Sequence, residues 1–334
     1  MRNNLLLSLL IIVYSTSLMG QQISSWSSFY ENGFIWNPAL SSNYGNKELS
    51  LTHRSEWSGF EDAPEFGTLS YQSPLTRDQN KASIGTFLEY DKAGPLQNIA
   101  LSGTYAYKIK PQLLKKENDL LSFGLLIKVQ QLRLNTIELV HPELQLSGAS
   151  ELPNSTSIQP NVGFGFHYVS ASDKLSDRYY FGFSMLNMIP NKLNTIEGIS
   201  LSSSMHITSN LGYRKFLSSS KAILDINLLG IYAATRPYDI MLNMRYEKVN
   251  KFWLSAGLVN TGEFFGQFGV ILGKRSGNSD ASKNSSIRLG IKADYSIGSI
   301  SRVAGLGYEF YMAYRFGSNQ KEITDKGYKP SRVY

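Results

Sequence analysis

From Gly307 to Phe316 the side chains alternate: Tyr308, Phe310, Met312, Tyr314 and Phe316 take one set of positions, and Glu309, Tyr311, Ala313 and Arg315 the other. Successive side chains of a strand point to opposite faces, so this stretch has one aromatic and apolar face and one that carries charge. A strand on the surface of a soluble sandwich has the same pattern as a wall between lipid and water. The preceding stretch narrows the choice. Ile287, Leu289, Ile291, Ala293 and Tyr295 interleave with Arg288, Gly290, Lys292 and Asp294, and a face holding two cations and an acid lines water more readily than a packed core. Two such strands in succession predict an all-β fold, a transmembrane antiparallel up-and-down β-barrel closed by the aromatic-ended strand.

The same period recurs through the chain. It predicts strands over residues 48–54, 67–72, 82–90, 97–109, 120–132, 159–170, 178–185, 205–216, 222–233, 239–247, 252–259, 264–272, 286–295 and 307–316. That gives about fourteen, an even number, as a single-chain bacterial barrel with both ends on one side needs. Alternation is clean where Ile99, Leu101, Tyr105, Tyr107 and Ile109 oppose Asn98, Ser102, Thr104 and Lys108, and weaker over 67–72 and 120–132. The polar sets are assigned to the lumen, which places Asp225, Asn243, Arg245, Arg288, Lys292, Asp294, Glu309 and Arg315 inside. At the usual strand spacing and tilt, such a cylinder is roughly 28 Å across, wide enough for a channel or a plug. The aromatics Trp26, Phe29, Tyr30, Phe34 and Trp36 and the long connection 133–158 are the available plug material. That connection equally fits a lid, a partner surface or a further hairpin.

The start of the chain has Arg2, an apolar core from Leu5 to Val13 and Ser17-Leu18-Met19-Gly20, the layout of an export signal. The apolar run is too short to span about 30 Å of hydrocarbon as a helix. The expected organisation is a signal peptide over 1–20, a periplasmic or luminal segment over 21–46, the barrel over 47–317 and a periplasmic polar tail over 318–334. No later run is long enough for a helical span. The chain has no cysteine, so neither a disulfide framework nor thiol chemistry is available. Its 20 Tyr and 17 Phe supply interfacial girdles. The net charge of +7 includes no basic block, which argues against a nucleic-acid partner.

Catalytic constellations are missing. His53, His141, His167 and His206 lack the spacing of a metal site, and there is no Gly-x-Ser-x-Gly elbow. No cofactor is expected. Glu56, Glu61 and Asp62 form an acidic group in the first long loop, open to reading as a cation site or as a solvated surface.

Asn37-Pro38-Ala39, Arg54-Ser55-Glu56-Trp57-Ser58-Gly59-Phe60 followed by Ala63-Pro64, Asp91-Lys92-Ala93-Gly94-Pro95 and Ser102-Gly103-Thr104-Tyr105-Ala106-Tyr107 together resemble the PorP/SprF family. These are outer-membrane proteins of the type IX secretion system of Bacteroidetes, and the likeness runs through most of the mature chain. Glu56 and Asp62 depart from the family pattern, making that loop more acidic. The resemblance implies a non-enzymatic component of the type IX system, in outer-membrane lipid, with both termini periplasmic. Its implied partners are secretion components, periplasmic lipoproteins and the C-terminal domain of a cargo adhesin.

Physically, Asn37-Pro38 fixes a turn and Gly94-Pro95 suits a tight hairpin. Trp57 and Phe60 fit an interfacial belt, and Arg54 stands over such a ring or pairs with Glu56. The loop set Asn37, Pro38, Arg54, Trp57, Gly59, Phe60, Ala63, Pro64, Asp91, Lys92, Gly94 and Pro95 either stabilises loops or contacts a partner. Two other functions stay open: a passive pore or hydrophobic-solute channel, whose conductance depends on Arg245, Arg288 and Lys292, and a soluble exported sandwich.

Overall fold

A computed structural model describes residues 29–42, 47–60, 62–75, 81–111, 119–135, 155–170, 177–194, 200–233, 236–274, 285–297, 305–316, 323–324 and 327–328. Its main body is a closed antiparallel barrel of fourteen strands. In chain order these are β1 (Lys47–Ser55), β2 (Glu65–Pro74), β3 (Ala82–Ala93), β4 (Leu96–Ile109), β5 (Leu120–Leu134), β6 (Ser155–Val169) and β7 (Arg178–Leu186). They continue as β8 (His206–Leu217), β9 (Ala222–Ala233), β10 (Arg236–Lys248), β11 (Phe252–Val259), β12 (Glu263–Lys274), β13 (Ser285–Ser296) and β14 (Gly307–Phe316). Each pairs with its sequence neighbours, and β14 returns to β1 with Lys47 opposite Phe316 and Ser55 opposite Tyr308. Closure matters because an unpaired backbone group facing hydrocarbon costs several kcal/mol.

The barrel is sorted inside out relative to a soluble protein. On β14, Tyr308, Phe310, Met312 and Tyr314 are exposed while Glu309, Tyr311 and Ala313 are buried. On β13, Ile287, Leu289, Ile291 and Tyr295 are exposed while Arg288, Lys292 and Asp294 are buried. A sandwich in water would place these sets the other way round, so the soluble alternative falls and the fold is a transmembrane barrel.

The two ends differ. At the turn end β1 begins, β14 stops, and β8 to β9 and β10 to β11 are joined by the short turns 218–221 and 249–251. Outward-facing rings gather there: Phe316 stacks with Tyr314 at 5.4 Å and Tyr71 at 6.4 Å, and Tyr179 lies 4.8 Å from Tyr213. This is the position of an interfacial girdle. The loop end carries the connections 56–64 and 187–205.

Several strands run further than their alternation indicates. β2 extends to Glu65 and Pro74, and β5 and β6 form one long hairpin ending with Leu134 opposite Ser155. So the 133–158 connection is shorter than expected, with 136–154 outside the described residues. Residues 186–204 are not a plain loop, since Asn191–Asn194 pairs with Ser200–Ser203. The signal peptide expected over 1–20, the connections at 76–80, 112–118, 171–176 and 275–284 between the expected strands, and most of the tail lie outside the described residues, although Ile323–Thr324 and Gly327–Tyr328 form a short hairpin.

Candidate functional site

The lumen holds a plug made from the chain's own N-terminal segment. A short helix, α1 (Phe29–Trp36), kinks at Asn32 and runs into the 3-10 turn Pro38–Leu40. Asn37 caps that turn, its Oδ1 accepting from the Ala39 N–H at 3.0 Å, and Pro38 brings a preset dihedral to the first turn position. Asn37-Pro38 fixes a turn, as expected, and of the two places open to residues 21–46 it takes the lumen. It is buried in the lumen.

The plug is bonded around the wall. The Tyr30 hydroxyl donates to Asp225 at 3.0 Å, and Glu31 meets the Arg245 guanidinium at 2.5 Å. Asn32 donates to Thr52 and accepts from Ser50, each at 2.9 Å. Further on, the Trp36 carbonyl accepts from Ser184 at 2.6 Å, and the Asn37 amide donates to the carbonyls of Phe166 and Phe183 at 3.0 and 3.3 Å. At the exit, Ser83 donates to the Ser41 carbonyl at 2.6 Å and Lys108 to the Ser42 carbonyl at 2.9 Å. Each bond satisfies a polar group that would otherwise be buried unpaired.

Inward-facing glycines make the room. A Cβ at Gly124 would strike the Ala39 nitrogen and the Pro38 carbonyl carbon, one at Gly165 would strike Asn37, and one at Gly85 would lie 2.8 Å from the Phe34 ring. Toward the loop end, Phe34, Ile35 and Trp36 join Leu229, Ile231, Met241, Val259 and Phe265 of the wall in one buried apolar cluster.

All eight lumen candidates face inward. Asp225, Asn243, Arg245, Arg288, Lys292, Asp294 and Glu309 are buried, and Arg315, half-buried, pairs with Glu48. They divide into linked sets. Glu247 bridges Arg245 at 2.9 Å and Arg288 at 3.0 Å, and both guanidiniums lie over the buried Trp253 ring, at 5.1 and 4.5 Å. Lys292 pairs with Asp294 at 3.1 Å and Glu309 at 3.6 Å. Arg54 joins this second set, 2.8 Å from Asp294 and 2.9 Å from Glu56. Arg54 is thus a lumen residue and not a loop residue, and Glu56 belongs to its ion-pair cluster and not to an exposed acidic loop. Asp225 also accepts from Arg214 and Tyr180, each at 2.6 Å.

The remaining loop candidates gather at the loop end. Trp57 and Asp62 have φ of 51° and 59°, in a region where bulky residues are rare. Backbone bonds hold them: Glu56 N–H to Pro64 O at 2.9 Å, Ser58 N–H to Leu306 O at 3.2 Å and Phe60 N–H to Trp57 O at 3.0 Å. The Trp57 and Phe60 rings meet edge-on at 6.3 Å. A pocket beneath them is lined by Ser55, Ser58, Phe60, Asp62, Ala63, Glu65 and Lys92, with Lys92 3.4 Å from Asp62. Gly59 is exposed, and Asp91 is half-buried at the end of β3. Gly94, at φ 55°, and Pro95 make the β3–β4 turn, whose Pro95 carbonyl accepts from Asn135 at 2.8 Å. His53, His167 and His206 lie on separate strands, and no metal-binding group occurs among the described residues.

Sequence reasoning missed Glu31, Asn32, Trp253 and the cradle glycines. The signal available for the glycines was their inward parity on β3, β5 and β6.

The family model described as type IX secretion system membrane protein PorP/SprF matches residues 18–314. No curated protein matches the chain. Among solved structures, a FadL homologue of Pseudomonas aeruginosa is 12% identical with a TM-score of 0.46, covering 90% of this chain and 96% of that one. The toluene transporter TbuX of Ralstonia pickettii is 9% identical with a TM-score of 0.49, covering 85% and 92%.

Proposed function

The chain belongs to the PorP/SprF family of type IX secretion system membrane proteins, and from that membership we propose that it is a non-enzymatic outer-membrane scaffold and not a conduit. It supports export or surface attachment of cargo adhesins, or tethers the apparatus through periplasmic lipoproteins. The observation that carries this reading is the segment 29–42 seated inside the lumen and bonded to β1, β3, β4 and β6 to β10; on this reading the two rims are the working surfaces. The plug leaves through the turn end, where Lys108 holds Ser42. We place that end, with both termini, in the periplasm, and the Trp57 loop on the cell surface.

Deleting the gene and probing intact cells for surface adhesins tests the proposal. Loss of one or more adhesins, with secretion components co-purifying from native membranes, is the expected result. Unchanged adhesin display together with no co-purifying secretion component overturns it.

A further inference from the structure

Charges at the turn end are sorted by sign. Among the described residues there, Lys47, Lys81, Lys110, Lys215, Lys221 and Lys251 are exposed. The acids are turned in: Glu48 and Asp119 are buried, and Glu247 is engaged by Arg245 and Arg288. Asp177 is half-buried and accepts from the Tyr213 hydroxyl at 3.0 Å. The loop end is mixed, with Asp62, Glu65 and Arg133 exposed and Lys92 half-buried beside Asp62.

Register fixes which way two of these lysines face. The Lys108 N–H donates to Lys81 O, and the Ile271 N–H to Lys251 O, each at 2.7 Å, so Lys81 and Lys251 extend the ladder opposite Lys108 and Ile271. Opposed residues share a face of the sheet, and Lys108 and Ile271 are buried on the luminal side. Lys81 and Lys251 therefore rim the mouth and are turned away from lipid. Neither end of this chain carries the opposite charge. Residues 21–28 contain no acid, and 317–334 set Lys321, Lys326, Lys329 and Arg332 against Glu322 and Asp325.

We infer that the turn-end mouth docks an acidic surface of a periplasmic protein. The inference rests on the orientation proposed above. Lipid phosphates would be met by Lys47 and Lys215, which continue lipid-facing rows, but not by Lys81 and Lys251. An acidic protein face laid across the mouth meets both and is steered to it by the unbalanced field.

The test places a photo-reactive amino acid at Leu75 or Ser219, exposed positions in two turns of this rim, in the full chain in living cells. The expected result is that both positions capture the same periplasmic protein, through peptides rich in Asp and Glu. Capture falls about tenfold or more in the Lys81→Glu/Lys251→Glu variant and is kept in Lys81→Arg/Lys251→Arg. Heat-modifiable gel migration shows that the reversed variant has folded. If it has not, Lys81→Gln/Lys251→Gln gives the same readout with a smaller drop. Capture of lipid alone, of no protein, or of a protein whose yield ignores the charge reversal overturns the inference. Adhesin display is scored in the deletion strain alongside: capture that ignores the charge reversal while deletion still costs adhesin display fails this inference and leaves the proposed function standing.

Discussion

Glu31 and Arg245 meet at 2.5 Å although 214 positions separate them. This pair ties the plug to the wall where both partners are buried, and Arg245 also lies 5.4 Å from the Tyr30 ring. Removing Glu31 costs the buried Arg245 one of its two carboxylate partners and leaves Glu247 as the other, so Glu31→Gln should destabilise the folded barrel by about 2 kcal/mol. Adding Arg245→Met should recover at least half of that loss. Urea unfolding in lipid vesicles, followed by heat-modifiable migration, measures both. An Arg245→Met addition that only deepens the loss would show that the pair is not what holds the plug.

Gly124→Val should eject the turn Pro38–Leu40 while leaving the barrel closed, because its side chain would occupy the space of the Ala39 nitrogen and the Pro38 carbonyl carbon. The chain has no cysteine, so Ser42→Cys alone reports on the plug. Ser42 is buried, and a membrane-impermeant maleimide applied to purified protein should label it slowly in the parent and at least about tenfold faster with Gly124→Val. Equal labelling would mean the turn finds another seat.

Purified protein should be electrically silent in planar bilayers, and deleting residues 29–42 should produce steady cation- or anion-biased current. Plug and wall share an apolar cluster toward the loop end, and a dry constriction blocks ions even where a narrow gap exists. Arg245, Arg288 and Lys292 are engaged by Glu31, Glu247, Asp294 and Glu309. They therefore set no selectivity while the plug is seated, in contrast to what a passive pore requires. Steady current from the full-length protein would reverse this conclusion.

The barrel and its luminal charges were legible because a period of two survives in any single strand: Arg288, Lys292 and Asp294 alternate with Ile287, Leu289 and Ile291 whatever lies next to them. Arg54 carried the same signal, sharing parity with Glu48, Ser50 and Thr52, but the loop motif around it masked that. The plug was legible only as aromatic material. Asn37 bonds to Phe166 and Phe183, 129 and 146 residues away, and no local pattern encodes such a pairing. Only the outer end of the β5–β6 hairpin, 133–134 and 155–158, was left out, because Arg133 and Leu134 face Thr156 and Ser155 with little polar contrast between faces.

Trp57 offers the sharpest test of whether the loop end is a working surface. Its φ of 51° costs a side chain with a Cβ roughly 1 kcal/mol, a strain that glycine does not carry. Trp57→Gly relieves the backbone and removes the ring, whereas Trp57→Ala removes the ring and keeps the strain. If the residue serves only to shape the loop, Trp57→Gly should be more stable than Trp57→Ala by about 1 kcal/mol, and both should display adhesins normally. If the edge-on pair with Phe60 is a contact surface, both variants should lose display together despite their different stabilities. Phe60→Ala, at an exposed position with no strain to relieve, should then match them. We expect the second outcome, since the strain at the half-buried Trp57 holds its ring against the exposed Phe60. Quantifying surface adhesin alongside vesicle stability for the three variants decides it.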